Sequence, residues 1–172
     1  MHRFLVSIFS FIIIVSFFLP WLSVEQIQAG AVKKVFAKEG VIILELSGFN
    51  IPLQANGNNS SFILSLAKVF SPGLREFAHK SWLLWLVPLI AVYINRLSKR
   101  LKKSKLANIY IIILGLGLSV TAGYKVINLD LDNIIYKVEL KEWFWVILFS
   151  FFIIGVLGLM QFNNLTAKKP KH

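Results

Sequence analysis

One short polar stretch has the residue types and the spacing to bind a metal ion. Asn128, Asp130, Asp132 and Glu139 stand at positions 1, 3, 5 and 12 of a twelve-residue run, where calcium-binding loops carry oxygen ligands. Hard cations such as Ca²⁺ prefer carboxylate and amide oxygens clustered in this way. The same run also alternates apolar and polar residues, as β-strands do. The stretch is therefore predicted either to bind Ca²⁺ or to form strands with one wet face.

Residues for other kinds of chemistry are few. The three histidines are His2, His79 and His172, and the chain has no cysteine. A haem held by two histidines inside a helix bundle, a thiol oxidase and a nucleophile activated by a neighbouring base are therefore not supported. None of the eight acidic residues lies within a long apolar run, which argues against proton-coupled transport. We predict that the protein is not an enzyme and, Ca²⁺ apart, has no cofactor.

Long apolar runs are the elements that would position any site. Phe4–Val24, Leu106–Tyr124 and Trp143–Ala167 contain no charged residue, and each is long enough for a helix crossing a hydrocarbon core of about 30 Å. Ser81–Asn95 is shorter and contains Pro88, but the cations on either side of it can extend to the headgroups. The sequence predicts a single membrane domain, 1–172, with spans at about 4–24, 79–96, 106–125 and 143–162.

Charge is divided unequally among the segments that join these runs. All eight acidic residues lie in 25–78 and 126–142, and the remaining segments carry Lys and Arg alone. Because the cytoplasmic flanks of membrane proteins collect Lys and Arg, the loop 97–105, the tail 163–172 and both termini are predicted to be cytoplasmic. Segments 25–78 and 126–142 are then extracytoplasmic, and the protein is expected to be multi-pass in the cytoplasmic (inner) membrane.

The net charge of +11 does not indicate nucleic acid, because the excess cations lie next to the predicted membrane. Cations in this position attract anionic headgroups. The expected partners are the bilayer, its anionic headgroups, and either another membrane protein or further copies of this chain. The cations expected to contact headgroups are Arg96, Lys99, Arg100, Lys102, Lys103 and Lys105.

The tryptophans all lie at or near the predicted outer ends of the spans. An amphipathic indole is favoured at the membrane interface, so these residues are predicted to be interface anchors. They are Trp21, Trp82, Trp85, Trp143 and Trp145.

Small residues recur at helical spacing in the last two spans. Such residues let helices approach closely where lipid supplies no hydrophobic drive. We predict that they pack helices within the bundle, with a homo-oligomer face as the alternative. The set is Gly115, Ser119, Gly123, Gly155 and Gly158.

The two outer segments contain strand patterns. Val41–Leu46 is apolar and β-branched, and Lys38-Glu39-Gly40 separates it from a similar run at 31–37, so a hairpin is predicted. Period-two alternation at 127–131 and 136–140 predicts further strands. A short helix with one apolar face is predicted at 60–70. The expected fold is an all-α membrane four-helix bundle with a small extracytoplasmic antiparallel β-sheet.

This layout resembles that of the claudin-like proteins and of small bacterial four-span proteins. The motifs are Leu19-Pro20-Trp21, Leu46-Ser47-Gly48-Phe49 and Glu142-Trp143-Phe144. The tryptophan and two-cysteine signature of the claudin loop is missing, so the resemblance implies a shape and not paracellular sealing.

Three functions remain open on the sequence. The favoured one is a non-enzymatic auxiliary, assembly or scaffold subunit of a membrane complex. The alternative is a homo-oligomeric pore or small-solute transporter that associates through Gly115, Ser119 and Gly123. A lipid-modifying enzyme that uses Asp130, Asp132 and Glu139 at the interface is a more remote third.

Overall fold

A computed structural model describes residues 2–26, 41–57, 80–101, 103–127 and 136–167. These residues form five α-helices, a short 3-10 helix and three β-strands. The helices are α1 (His2–Phe17), α2 (Asn50–Asn56), α3 (Leu86–Ser98), α4 (Lys105–Ile127) and α5 (Glu142–Ala167), with the 3-10 helix at Trp82–Trp85. The strands are β1 (Pro20–Gln26), β2 (Val41–Ser47) and β3 (Tyr136–Leu140).

Contacts within the chain divide it into two units. The helical unit comprises Met1–Ser16, Leu86–Asn128 and Trp145–His172, and the sheet unit comprises Phe17–Trp85 and Leu129–Phe144. The predicted combination of helices with a small antiparallel sheet is therefore confirmed at this coarse level.

Among the described residues, two helices, α4 and α5, are long and apolar enough to cross a membrane. In the most apolar stretch of each, 22% of α4 and 39% of α5 is buried within the protein. A core helix of a soluble protein would be mostly buried, so this exposure of apolar surface suggests membrane association. The helical segments His2–Phe17 and Trp82–Ser98 are apolar but shorter.

The first predicted span is corrected at its C-terminal end. It was expected to reach Val24, but α1 ends at Phe17 and the chain continues as β1 from Pro20. Proline has no amide hydrogen for a helix, and the residue before it is disfavoured in helical conformation. The apolar residues after Pro20 are compatible with a buried strand as well as with a helix. They form a strand because they pair with two distant segments of the chain.

β1 is the central strand of a three-stranded antiparallel sheet with the order β2-β1-β3. Val24 pairs with Leu44 on one side and with Val138 on the other. Val24 and Val138 are buried, and Leu22 and Leu44 pack against them as the core of the sheet. The predicted strands at 41–46 and 136–140 are confirmed as β2 and β3.

Other predicted elements fall wholly or partly outside the described residues. These are the strand at 31–37, the turn at 38–40, the helix at 60–70 and most of the strand at 127–131. Ile127 itself is the last residue of α4. The short helix α2, which begins three residues after β2 ends, was not predicted.

Candidate functional site

The contact between α4 and α5 in the helical unit is built on glycine. A Cβ atom placed on Gly115 of α4 would lie 2.5 Å from the backbone nitrogen of Gly155 in α5 and 2.7 Å from the carbonyl oxygen of Phe151. A Cβ on Gly155 would in turn lie 2.7 Å from the backbone nitrogen of Leu116. One on Gly158 would lie 3.0 Å from Ile111. Three of the five predicted packing residues therefore form the contact between α4 and α5 inside one chain.

The other two small residues, Ser119 and Gly123, lie beside an apolar groove. A Cβ on Gly123 would meet no atom within 4 Å. The groove has a volume of about 560 Å³ and opens outward between α4 and α5. Its walls include Val120, Trp145 and Phe149, and the complete lining is Ser119, Val120, Gly123, Trp145, Val146, Leu148, Phe149 and Phe152. The small-residue face predicted from the sequence is thus split between an internal helix contact and an open groove.

The turn between α3 and α4 carries the predicted headgroup-binding cations. We call residues 96–105 the basic turn. Arg96, Lys99, Arg100 and Lys103 are exposed and Lys105 is half-buried, while Lys102 lies outside the described residues. No acidic residue occurs between Glu76 and Asp130, so the turn has no anionic neighbour along the sequence.

The backbone of the basic turn is held by Asn108, which is completely buried in α4. Its side-chain amide donates hydrogen bonds to the carbonyl oxygens of Leu101 (2.9 Å) and Ser104 (3.2 Å). Ser104 Oγ accepts a hydrogen bond from the Ala107 amide at 3.3 Å, as a helix N-cap does. The side chain of Leu101 is buried beneath the turn. These contacts give the cationic surface a defined backbone.

The sheet unit has an aromatic core centred on Trp21. The indole is 5% exposed, and its ring makes edge contacts with Phe17 (5.7 Å between centroids) and Phe144 (6.0 Å). A Cβ on Gly48 would lie 2.6 Å from Phe17 Cδ2 and closer still to the Trp21 ring. Trp21 was predicted to be an interface anchor, but its burial among protein groups makes it a core residue of the sheet unit.

The other four tryptophans expose more of their surface. Trp82, Trp143 and Trp145 are 40–46% exposed and Trp85 is 36% exposed. The Trp85 ring stacks on Phe49 at a centroid distance of 5.2 Å. These side chains retain the exposed indole surface that an interface anchor needs.

The candidate calcium ligands are only partly described. Glu139 is in β3, where its carboxylate pairs with the Lys141 ammonium at 3.5 Å. Asn128, Asp130 and Asp132 lie outside the described residues. Within the described ranges, no group of three His, Cys, Asp or Glu side chains could hold a metal ion. The calcium site therefore stays a prediction.

Sequence reasoning missed Asn108 and Gly48. Asn108 is a single amide in an apolar run, close in sequence to a group of cations. This position was the only signal in the sequence that its side chain could bind the backbone of the turn. Gly48 directly follows the predicted strand and gave no signal of its packing role. Which aromatic rings pack on it cannot be seen without the fold.

Comparison with known proteins gives no relative from which to transfer a function. No protein-family model matches this chain, and no significant match was found among curated proteins or solved structures.

Proposed function

We propose that this protein is a four-span protein of the cytoplasmic membrane that acts as a non-enzymatic auxiliary, assembly or scaffold subunit. Two helices of membrane-spanning length and two shorter apolar helical segments support the four spans. The basic turn and the C-terminal tail then face the cytoplasm, because Lys and Arg collect on that side. The bundle with an extracytoplasmic sheet corresponds to the claudin-like layout that the motifs suggest.

The observation that carries this proposal is the way the sheet joins distant parts of the chain. β1 follows α1 directly, β3 directly precedes α5, and β2 comes from the long segment between α1 and α3. The Lys141 amide donates a 2.7 Å hydrogen bond to the carbonyl oxygen of Trp21, which continues the pairing up to the start of α5. An ordered surface built from three strands of two connecting segments, one between α1 and α3 and one between α4 and α5, is suited to holding a partner protein, because little ordering is needed on binding.

The test is purification of the tagged full-length chain from its native membrane in mild detergent, followed by mass spectrometry. A membrane protein recovered in stoichiometric amount is the expected result. Gly48→Leu, which forces a side chain into Trp21 and Phe17, is expected to lose that partner while the chain remains membrane-inserted. Gly117→Leu is the matched control, because a Cβ at Gly117 meets nothing within 4 Å. Recovery of the chain alone would overturn the scaffold proposal.

The pore alternative requires a self-association face. Gly115 is covered by Gly155 within the chain, so a homo-oligomer would have to use Ser119 and Gly123 without it. A defined homo-oligomer in the same purification, lost in Gly123→Leu, would favour the pore over the scaffold.

A further inference from the structure

The basic turn presents its cations on one side. Backbone amides donate to carbonyls three residues earlier, from Lys99 to Arg96 (3.3 Å), from Arg100 to Leu97 (2.8 Å) and from Lys103 to Arg100 (3.0 Å). A backbone of this kind places side chains three residues apart above one another. The exposed side of the turn therefore carries Arg96, Lys99, Arg100 and Lys103 one after another.

The opposite side of the turn is anchored in protein. Ser98 and Leu101 are buried, with 2% and 1% of their surface exposed, and they are also three residues apart. The buried side-chain amide of Asn108 donates hydrogen bonds to the carbonyl oxygens of Leu101 and Ser104. The amide of Asn108 thus fixes the part of the backbone from which Arg100 and Lys103 project.

We propose that the basic turn is a preorganised binding surface for the headgroups of anionic phospholipids, with Asn108 as its positioning residue. Several cations with no acidic residue near them in the sequence are complementary to a phosphate-rich bilayer surface. The turn joins two apolar helical segments, which keeps it beside such a surface. Because hydrogen bonds already hold the described backbone of the turn, binding requires less loss of conformational freedom than binding by a flexible loop. This inference rests on the membrane location in the proposed function and adds the lipid class and the positioning residue.

The experiment measures lipid preference around the purified full-length chain. The protein is reconstituted in vesicles of equal phosphatidylglycerol and phosphatidylcholine, with a spin-labelled probe of one lipid or the other. Electron spin resonance gives the fraction of each labelled lipid whose motion is restricted by the protein, and from it an association constant for each lipid. The ratio of the phosphatidylglycerol constant to the phosphatidylcholine constant is expected to exceed one and to decrease with added salt.

Two single substitutions at opposite ends of α4 form a matched pair. Lys103→Gln is expected to lower the ratio by up to about five-fold, the effect of one cation close to the surface. Lys125→Gln removes one exposed lysine at the other end of the helix. No other Lys or Arg occurs between Lys105 and Lys137, so this isolated cation is expected to lower the ratio less than Lys103 does. Equal effects of the two substitutions, or no effect of Lys103→Gln, would overturn the site.

Asn108→Ala tests the positioning role. It is expected to lower the phosphatidylglycerol preference while association of phosphatidylcholine and the helix content by circular dichroism stay unchanged. A general loss of structure would reduce both lipids together and would leave their ratio unchanged. Asn108→Gln, which retains the amide donors, is expected to recover part of the preference. A wild-type ratio in a folded Asn108→Ala protein would overturn the role of Asn108.

This result is separable from the proposed function. The lipid ratio is measured without any partner protein, so failure to recover a membrane partner would leave it unaffected. A ratio of one in the wild-type protein would remove the headgroup site while the scaffold proposal could still stand.

Discussion

Gly115 and Gly155 face each other across the contact between α4 and α5 so closely that a methyl group on either would strike the other helix. A Cβ atom on Gly115 would lie 2.5 Å from the Gly155 nitrogen, which is shorter than any ordinary van der Waals contact. The obstacle is backbone, which cannot rotate away as a side chain can. Two helices of membrane-spanning length are therefore joined at a point where no larger residue fits.

Gly115→Ala is expected to destabilise the protein by about 1–3 kcal/mol, because the helices must separate to admit the methyl group. Gly117→Ala makes the same chemical change two residues further along, where a Cβ meets nothing within 4 Å. It is expected to be neutral or to stabilise by up to about 1 kcal/mol through helix propensity. Thermal unfolding in detergent measures both. Similar losses in the two variants would contradict the close contact.

Gly48→Ala is expected to disturb the sheet unit, because the added carbon overlaps the rings of Trp21 and Phe17. The cost of such overpacking is about 1–3 kcal/mol. The near-ultraviolet circular dichroism of the aromatic side chains should decrease, since Trp21 and Phe17 must shift. Gly123→Ala, with open space around its Cβ, serves as the control. An unchanged aromatic spectrum in Gly48→Ala would contradict the packing.

Ser7 and Asn95 connect α1 to α3 through a hydrogen bond of 2.8 Å from the serine hydroxyl to the amide oxygen. In the proposed four-span arrangement α1 and α3 are membrane helices, and hydrogen bonds between such helices contribute about 0.6 kcal/mol on average. A double-mutant cycle with Ser7→Ala and Asn95→Ala is expected to give a coupling energy of that order. The same cycle with Ser7→Ala and Thr121→Ala, whose hydroxyl bonds within α4, should give none. Equal coupling in the two cycles would argue against the contact.

Cysteine labelling tests the proposed orientation, since the chain contains no cysteine of its own. Lys103→Cys and Glu139→Cys each place one thiol at an exposed position. A membrane-impermeant maleimide added to intact cells is expected to label Glu139→Cys at once and Lys103→Cys only after the membrane is permeabilised. Labelling of both in intact cells would refute the four-span arrangement.

Calcium binding is tested by isothermal titration of the purified chain. If Asn128, Asp130, Asp132 and Glu139 hold Ca²⁺, a binding heat is expected that disappears in Glu139→Gln, because the last ligand of such a loop supplies a carboxylate. Lys141→Gln should strengthen binding, since it removes the cation that pairs with Glu139. The absence of heat at millimolar Ca²⁺ would end the hypothesis.

Prediction from the sequence was most successful where a single local pattern decides the structure. An uncharged run of helical length predicted α4 and α5, and period-two alternation predicted β3. It failed at Pro20–Gln26, where an apolar run suits both a helix and a buried strand. The cations of the basic turn can be recognised from charge alone, and their binding to headgroups stays a prediction. Asn108 was not predicted, because an amide in a helix gives no indication of which carbonyl oxygens it will contact.

The sequence by itself determined the helical and strand character of most described elements, since apolar spacing and run length act locally. It also determined the separation of acidic from basic segments. Only the tertiary structure decided that β1 is the centre of the sheet, because Val24 acquires its partners Leu44 and Val138 from distant segments. The same holds for Gly115, which packs against another helix of the same chain only because Gly155 lies opposite it. Contacts between residues far apart in the chain depend on how the whole chain packs, and no local pattern contains that information.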